Sequence, residues 1–266
     1  MVGLCQSARM PRARKAKPLQ GWYVISLRPL GQHGPMRHQA TRLGARTFAL
    51  STLRLAPLQA GESLAAALRC PRVLATSPAA VRFASAQRAL RARAGQDWFA
   101  PGAGTAAALR RAGVERVHFP VSGAGAEALL DDPLLQRLEG ARVGLVTAPG
   151  GRDALLEGLR ARGARLCLAP VYQREPLRPP TARLRALAAL PERSALMLSS
   201  GEALASLWRS LDDAGRATLR QRPCVASSPR LAAQARELGF RMPLRASDAR
   251  PEHLLAALAA HAAGIR

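Results

Sequence analysis

The feature that most constrains the fold is a sequence pattern that occurs twice in the chain. The segment "VGLVTAPGGRDALLEGLRARGARLCLAPVY", residues 143–172, repeats the pattern of the segment that begins near residue 22. Val24 aligns with Val143, and Gly44 aligns with Gly163, both at an offset of 119 residues. Each copy is predicted to contain a strand, a turn, a helix that ends at a glycine, and a second strand.

Two further pairs of similar segments follow in the same order in both copies. "GTAAALRRAGVERV" at 104–117 corresponds to "PRLAAQARELGFRM" at 229–242, and "AEALLDDPLL" at 126–135 corresponds to "PEHLLAALAA" at 251–260. Chance similarity between helices rich in Ala, Leu and Arg is the alternative explanation, and the preserved order counts against it. The chain is therefore predicted to contain an internal duplication.

Within each copy, short apolar strands alternate with helical patterns of about 10–15 residues, which is typical of βαβ units in a parallel sheet. The predicted fold class is α/β, with two similar parallel-sheet domains. "TFALSTLRL" at 47–55 is predicted to form one strand that ends near Pro57. Strand-to-helix turns are predicted after Leu27, Ala75, Phe99, Val146, Leu198 and Ala226. Ligands of open parallel sheets bind at such turns, so two facing sheets would surround one cleft.

The net charge of +23, from 40 basic and 17 acidic residues, favours a polyanionic partner. Nucleic acid, an anionic membrane surface and a multiply charged small molecule are the candidates, and a genome composition rich in Arg and Ala is the other explanation. The arginines are spread evenly and are not clustered in stripes with aromatic residues between them, which weakens the nucleic-acid interpretation. No stretch of the chain approaches 18 consecutive apolar residues without a charged residue, so a membrane span is not predicted.

The cysteines are far apart in sequence and form no C-x-x-C pair, so neither a disulfide framework nor a zinc site is predicted. They are Cys5, Cys70, Cys167 and Cys224. Their spacing favours a reducing, cytoplasmic setting. Residues 1–20 carry five basic residues and no acid, and they are predicted to form a disordered basic leader outside the fold.

Hydroxyl side chains follow a predicted strand once in each copy. Ser77 follows the strand in "VLATSPAAV" at 73–81, and Ser200 follows the strand in "ALMLSSGEAL" at 195–204. Ordinary helix capping explains each serine taken alone. The functional alternative is an anion site, because hydroxyls and free backbone N–H groups at helix N-termini bind carboxylates. The duplication favours that alternative.

Glycine-rich turns follow two other predicted strands, in "APGAGT" at 100–105 and "APGGR" at 148–152. Neither turn is a G-x-G-x-x-G motif or a P-loop, so nucleotide binding is poorly supported. Exposed backbone N–H groups together with Arg152 fit a carboxylate-rich ligand better. Thr105 either adds a hydroxyl to that site or starts a helix.

Tyr172 ends a predicted strand just before a proline-containing stretch that is predicted to link the domains. A phenol is protonated at neutral pH and can donate its proton to a departing oxygen, whereas a purely structural role in packing the linker is the alternative. The five histidines show no metal-ligand spacing, and no G-x-S-x-G motif occurs. The predicted site is therefore rich in hydrogen-bond donors and poor in bases.

A series of short motifs, in this order, resembles the uroporphyrinogen-III synthase family from about residue 22 to the C-terminus. They are "ISLRPLGQ", "RLGART", "ATSPAAV", "APGAGTAAALRRAG", "APGGRDALLEGLRARGA", "VYQREP", "LSSGEAL" and "SSPRLAAQARELG". The resemblance implies a lyase that cyclises hydroxymethylbilane, a linear tetrapyrrole with eight carboxylates, to uroporphyrinogen III. Ring D is inverted and water is lost, without a metal or organic cofactor.

The resemblance also implies two α/β domains joined by a two-stranded linker, with the active site in the cleft between them. One domain would comprise residues 21–52 and 176–266. The other would comprise residues 53–175 and include the linker strands "LRLAP" and "VYQRE". A monomer without nucleic-acid or membrane partners is expected.

By the same resemblance, Tyr172 is the catalytic residue that assists loss of the substrate hydroxyl. The residues implied to bind substrate are Arg28, Ser77, Gly102, Thr105, Gly151, Arg152 and Ser200. Leu27 and the pair Arg230-Leu231 depart from hydroxyl residues seen in other members, which puts contacts from the first domain in question. The alternatives are a non-catalytic two-lobed module that binds a polyanionic small molecule, and a nucleic-acid-binding protein.

Overall fold

The chain folds into two compact units. A computed structural model describes residues 17–121, 125–150 and 153–264. The first unit comprises the described parts of Met1–Arg54 and Pro176–Arg266, and the second comprises those of Leu55–Glu175. Among the helices of these described ranges, none is long and apolar enough to cross a membrane.

Short strands and helices alternate along both units. The strands of the described residues are β1 (Tyr23–Ser26), β2 (Arg46–Ala49), β3 (Leu53–Pro57), β4 (Arg72–Ala75), β5 (Asp97–Phe99), β6 (Arg142–Thr147), β7 (Arg165–Pro170), β8 (Tyr172–Pro176), β9 (Ser194–Leu198), β10 (Cys224–Ala226) and β11 (Leu244–Arg245). The α-helices are α1 (Gly34–Arg42), α2 (Gly61–Leu68), α3 (Pro78–Ser85), α4 (Ala103–Arg111), α5 (Ala126–Leu130), α6 (Asp153–Ala161), α7 (Thr181–Ala188), α8 (Gly201–Ser210), α9 (Asp213–Arg220), α10 (Pro229–Glu237) and α11 (Pro251–Ala263).

Each unit is built on a parallel sheet, and the two sheets have the same topology. The sheet of the first unit has the order β11-β10-β9-β1-β2. The sheet of the second unit has the order β5-β4-β6-β7, and a parallel bridge from Phe99 to His118 extends it beyond β5. Strand β9 therefore corresponds to β4, and β1 corresponds to β6. The predicted α/β class and internal duplication are confirmed.

Glycines that align in the repeat also share a backbone conformation. Gly44 and Gly163 have φ angles of +90° and +84°, and each follows the helix between two paired strands. Gly113 and Gly239 have φ angles of +101° and +91° after α4 and α10. Only glycine adopts this left-handed region without strain, which explains why the same residue type ends the helix in both copies.

Apolar side chains cover both faces of each sheet, as expected for sheets with helices on both sides. In the first unit, Ile25 and Leu196 belong to one buried cluster, whereas Val24 and Ala195 belong to another. Successive strand residues point to opposite faces, so these clusters lie on the two sides of the sheet. The second unit repeats this arrangement with two clusters of its own.

The segment after β2 differs from the prediction of one continuous strand. Strand β2 pairs with β1 in the first sheet, whereas β3 pairs with β8 in a separate two-stranded sheet. Between them, the buried hydroxyl of Thr52 donates a hydrogen bond to the carbonyl of Ala203 on α8, at 3.0 Å. This contact turns the chain out of the first sheet, so the prediction of a single strand is wrong. The two-stranded sheet corresponds to the expected linker.

The predicted leader ends earlier than residue 20. Leu19 is 0% exposed and packs with Trp22 and Val24, and its N–H group donates to the carbonyl of Leu43 at 2.9 Å. The residues from 17 to 20 therefore belong to the fold of the first unit, and the predicted boundary is wrong there. The segment was assigned to the leader on its basic composition, which gives no sign that the apolar residue Leu19 is buried in the fold. Residues 1–16 lie outside the described residues.

Candidate functional site

Hydroxyl groups cluster at the carboxyl ends of the central strands of the second unit. Thr76 directly follows β4, and Thr147 is the last residue of β6, the neighbouring strand. The buried Thr76 hydroxyl donates to the Thr147 hydroxyl at 3.0 Å. The two strand ends are thereby held together at the edge where parallel sheets bind ligands.

Ser77 and Tyr172, which are 95 residues apart in sequence, are in direct contact. Ser77 caps α3 because its Oγ accepts a hydrogen bond from the N–H group of Ala80 at 3.1 Å. The same Oγ lies 3.2 Å from the phenol oxygen of Tyr172, and either atom can be the donor. Tyr172 is 3% exposed, whereas Ser77 is only partly buried. Capping and a second polar contact thus coexist on one hydroxyl.

Two side chains that the sequence analysis missed complete this site. The ring of Phe83 stacks on the ring of Tyr172, with centroids 5.3 Å apart and planes 14° apart. The guanidinium of the exposed Arg82 lies over the other ring of this pair, 4.9 Å from the Phe83 centroid. Phe83 holds the phenol ring in place, and Arg82 brings a positive charge to the Phe83 ring of the stack. The sequence signal that could have identified Phe83 and Arg82 is their position on the helix that directly follows the "TSP" turn.

Gly102 and Thr105 lie at the adjacent strand end, where β5 leads into α4. Gly102 is the N-cap residue of α4, and Thr105 is a buried residue of its first turn. The N–H group of Thr105 donates to the carbonyl of Gly102 at 3.1 Å, so both residues take part in starting the helix. Gly151 and Arg152 lie outside the described residues.

In the first unit, Ser200 caps α8 in the way that Ser77 caps α3. Its Oγ accepts a hydrogen bond from the N–H group of Ala203 at 3.2 Å. Ser228 precedes a proline, as Ser77 does, and its Oγ caps α10 by accepting a hydrogen bond from the N–H group of Leu231 at 3.3 Å. Helix capping accounts for both hydroxyls as the structure shows them.

Arg28 follows β1, and its Nη2 donates a hydrogen bond to the carbonyl of Ala249 at 2.7 Å. Its Nε is buried and has no hydrogen-bond partner among the described residues. Burial lowers the pKa of the Arg28 guanidinium, while the negative charge of Glu252 opposes that shift. A buried cationic donor with an unused N–H group is suited to a carboxylate.

His33 is a further functional candidate that the sequence analysis considered only as a metal ligand. It is 7% exposed and lies where β1 and β2 end. Its Nδ1 lies 2.9 Å from the hydroxyl of Ser26, and its Nε2 lies 2.8 Å from the hydroxyl of Ser51. The hydroxyl of Ser51 in turn donates to the carbonyl of Arg28 at 3.0 Å.

These contacts fix the tautomer of His33. Since the Ser51 proton is donated to Arg28, the Ser51 oxygen must accept from Nε2–H, which leaves Nδ1 to accept from Ser26. Burial lowers the pKa of His33, and the positive charges of Arg37, Arg28 and Arg183 lower it further. The imidazole is therefore neutral at pH 7 and positions the segment that carries Arg28.

The lowered pKa of His33 predicts a loss of stability in weak acid. The unfolded chain takes up a proton on this histidine below its ordinary pKa of about 6.5, whereas the folded protein does so only at lower pH. The free energy of unfolding should therefore be highest above pH ~6.5 and should fall as the pH decreases from there toward the lower pKa of the folded state. Urea unfolding curves across this range measure the change.

His33→Asn should remove this part of the pH dependence, whereas His38→Asn should retain it. His38 is exposed and belongs to α1, the helix that directly follows His33, so it serves as the matched control. Identical pH dependence in the wild type and in His33→Asn would contradict the assignment.

Acidic and metal-ligating side chains contribute little to either strand edge. Within the described ranges, no group of three or more His, Cys, Asp or Glu residues is arranged to hold a metal ion. The sites at the strand ends instead consist of hydroxyls, a phenol, backbone N–H groups and arginines. Such a set can bind carboxylates and donate protons, and it offers few groups to act as a base.

Sequence comparison relates the chain to known proteins over most of its length. The family model described as uroporphyrinogen-III synthase HemD matches residues 35–256. The uroporphyrinogen-III synthase of Escherichia coli (strain K12) is 33% identical over 205 residues, which cover 75% of this chain and 83% of that protein. The Salmonella typhimurium (strain LT2) protein of the same name is 36% identical over 203 residues, which cover 70% and 77%.

Solved structures show the same fold at low sequence identity. A mutant uroporphyrinogen III synthase from the extremely thermophilic bacterium Thermus thermophilus superimposes with a TM-score of 0.56 at 20% identity, covering 92% of this chain and 100% of that one. The uroporphyrinogen-III synthetase of Helicobacter pylori 26695 gives a TM-score of 0.61 at 16% identity, with 92% and 99% covered. The family model and the bacterial relatives together establish that the chain belongs to the uroporphyrinogen-III synthase family.

Proposed function

We propose that this chain closes hydroxymethylbilane to uroporphyrinogen III, with inversion of ring D and loss of one water molecule. Family membership supports the reaction. The single observation that carries the proposal is the contact of the Ser77 and Tyr172 hydroxyls at a strand end of the second unit. A hydroxyl must leave the substrate, and this pair places a phenol beside a hydroxyl that can hydrogen-bond to it.

Tyr172 is proposed to act as the general acid. When the phenol gives its proton to the departing hydroxyl, negative charge develops on the Tyr172 oxygen. The Ser77 hydroxyl, 3.2 Å away, can donate to that oxygen while its lone pair still accepts from Ala80 N–H. Such a donor stabilises the phenolate as it forms, which lowers the barrier to proton transfer.

Cationic and N–H donors are proposed to bind the substrate carboxylates. In the second unit these are Arg82, which adjoins the Phe83–Tyr172 stack, and the turns with Gly102 and Thr105. Gly151 and Arg152 belong to the same proposed set on sequence grounds. In the first unit, Arg28 offers its unused Nε–H, and Ser200 offers the start of α8.

Ring closure itself is proposed to depend on positioning. Once the hydroxyl has left as water, the terminal carbon of the bilane is electron-poor, and the electron-rich substituted carbon of ring D would attack it. The resulting spiro intermediate would then break and close again with ring D inverted. Holding the chain folded in this way excludes the direct closure that occurs without the enzyme, and the gain comes from orientation.

The remaining assignments follow from the same proposal. An octacarboxylate substrate accounts for a strongly basic chain without a nucleic-acid partner, and we propose a monomer as the active form. The three cysteines of the described residues, Cys70, Cys167 and Cys224, are free thiols, which fits a reducing cytoplasm. A binding module without catalysis would not need a phenol supported by a second hydroxyl.

The reaction is tested by the isomer that forms. The protein is incubated with hydroxymethylbilane generated in situ by the enzyme that makes it, and the products are oxidised and separated by chromatography. The expected result is the type III porphyrin in excess of the type I isomer, because direct closure without inversion gives type I.

Two controls accompany this assay. Omission of the protein should give the type I isomer alone, which calibrates the uncatalysed reaction. A heat-denatured sample of the same chain tests whether its charge alone influences closure. Type I product alone from the native chain would overturn the proposal and favour a binding module.

A further inference from the structure

Two cysteines that are distant in sequence meet in the second unit. Cys70 lies just after the end of α2 and is 1% exposed, and Cys167 is a partly buried residue of β7. The Cys70 N–H group donates to the carbonyl of Ala67 at 3.1 Å, and that carbonyl lies against Gly144, the residue of β6 that pairs with Cys167. The fold thus brings the two cysteines together, and each thiol shifts the pKa of the other.

A glycine on the neighbouring strand allows this approach. Cys167 is paired with Gly144 on β6, and a Cβ atom at Gly144 would lie 2.1 Å from the carbonyl oxygen of Ala67 on α2. Helix α2 therefore packs directly on the sheet at this point. Cys70, which follows the C-terminal end of α2, is placed near β7 as a result. Because close packing of the helix on the strands fixes the thiol pair, the pair is a built feature of the unit.

Positive charge surrounds the more exposed thiol. Arg142 on β6 donates from Nη2 to the sulfur of Cys167 at 3.5 Å, and Arg69 at the end of α2 adds a second charge. Arg165, two residues before Cys167, lies on the same side of β7. Burial alone would raise the pKa of Cys167, but the hydrogen bond from Arg142, together with the neighbouring Cys70 thiol and the charge of Arg69, outweighs burial and lowers the pKa.

The two thiols differ in the way that a reactive and a resolving cysteine differ. Burial raises the pKa of the Cys70 thiol to about 11, and the neighbouring Cys167 thiol adds to the shift. The Cys70 S–H group donates to the carbonyl of Ala66 at 3.5 Å. Cys167 is thus the thiol that ionises first and is open to solvent, whereas Cys70 remains protonated and shielded. Thiolate character and exposure govern which cysteine a peroxide oxidises.

We propose that Cys167 and Cys70 form an oxidisable dithiol that closes to a disulfide when a hydroperoxide such as hydrogen peroxide reacts with Cys167. The Cys167 thiolate attacks one peroxide oxygen, the O–O bond breaks, and the products are a sulfenic acid and, after protonation, water. The Cys70 sulfur then attacks the Cys167 sulfur, the S–O bond breaks, and a second water molecule leaves with the Cys70 proton. Two electrons pass from the thiols to the peroxide.

The dithiol is separate from the Ser77–Tyr172 contact. Cys167 pairs with Gly144, which pairs in turn with Val73, whereas Ser77 and Tyr172 lie beyond the carboxyl ends of β4 and β7. Cys167 and Tyr172 also belong to different sheets, since β7 ends at Pro170 and Tyr172 begins β8, which pairs with β3. The proposal does not depend on the proposed function, and the disulfide should leave the cyclisation rate unchanged.

The test is controlled oxidation of the full chain, first reduced with dithiothreitol and then freed of it. A small molar excess of hydrogen peroxide should give a protein lighter by two hydrogen atoms, and proteolysis without reductant should yield a peptide that joins Cys70 to Cys167. Dithiothreitol should restore the original mass. In Cys70→Ser, Cys167 should instead accumulate as a sulfenic acid that dimedone labels.

Two further variants separate the roles of the surrounding residues. Arg142→Gln should raise the pH at which iodoacetamide alkylates Cys167 and should slow disulfide formation at pH 7, because the thiolate loses its closest cationic partner. Cys224→Ser should change neither measurement, since burial raises the pKa of the Cys224 thiol to about 12 and keeps it unreactive. A peptide that joins any other cysteine pair, or Cys167 oxidised to a sulfinic acid beside a free Cys70, would overturn the proposal.

Discussion

Tyr172→Phe is expected to lower the rate of ring closure about 100-fold, the lower end of what a positioned general acid contributes. The substitution removes only the phenol oxygen, which contacts the Ser77 hydroxyl at 3.2 Å. The ring, which stacks on Phe83, is retained. Folding should therefore change by no more than about 1 kcal/mol, the value of one hydrogen bond. Single-turnover measurement of uroporphyrinogen III formation gives the rate, and urea unfolding gives the stability.

Tyr23→Phe is the matched control, because Tyr23 is the other tyrosine of the chain. Its hydroxyl accepts a hydrogen bond from Arg46 at 3.1 Å in the first unit, away from any strand end proposed to bind substrate. The rate in Tyr23→Phe should stay within about twofold of the wild type. Residual type III product in Tyr172→Phe is expected, since orientation of the substrate survives the substitution. A rate in Tyr172→Phe that matches the control would remove Tyr172 from the mechanism.

Ser77 should be coupled to Tyr172 in the same measurement. If Ser77 acts by stabilising the phenolate, Ser77→Ala should reduce the rate in the wild type but have little further effect in Tyr172→Phe. If Ser77 contacted the substrate independently, its loss would reduce the rate by the same factor in both backgrounds. The loss of the α3 cap is expected to cost about 1 kcal/mol of stability in either background.

The repeated segments allowed the alternation of strands and helices in two similar domains to be predicted, because glycines and strand ends are local features. Gly44 and Gly163 recur at a fixed offset since each helix must end in a left-handed residue before its strand. The turns after Ala75 and Leu198 follow from the change from apolar strand to capped helix, and both lie where they were predicted. Such features depend on a few neighbouring residues, and a single sequence displays them.

The contacts that give the site its chemistry depend on which strands and helices lie side by side, and a single sequence does not display this. His33 reaches Ser26 and Ser51 only because β1 and β2 lie side by side. Cys70 and Cys167 were noted for their separation in sequence, yet the packing of α2 on β6 and β7 brings them together. Leu19 was assigned to a leader on composition, although one apolar side chain was enough to anchor it.

Gly144→Ala is the substitution expected to damage the fold most. Its new Cβ would lie 2.1 Å from the carbonyl oxygen and 2.8 Å from the carbonyl carbon of Ala67, both backbone atoms of α2. A flexible side chain could move aside, but backbone can yield only if the whole helix shifts away from the sheet. Overpacking of a buried site costs about 1–3 kcal/mol, and a rigid backbone neighbour places this substitution at about 3 kcal/mol or more.

Gly61→Ala is the matched control, because Gly61 is the first residue of the same helix and a Cβ there meets nothing within 4 Å. It should be neutral or stabilise the protein by up to about 1 kcal/mol, since alanine is the better helix former. Calorimetry should show the loss in Gly144→Ala confined to the unfolding transition of the second unit, because α2 and β6 both belong to it. The same shift of α2 would draw Cys70 away from Cys167, so peroxide should form their disulfide more slowly in Gly144→Ala than in Gly61→Ala. Equal stability of the two variants would mean that α2 is free to move on the sheet, and the thiol pair would then lose its structural basis as well.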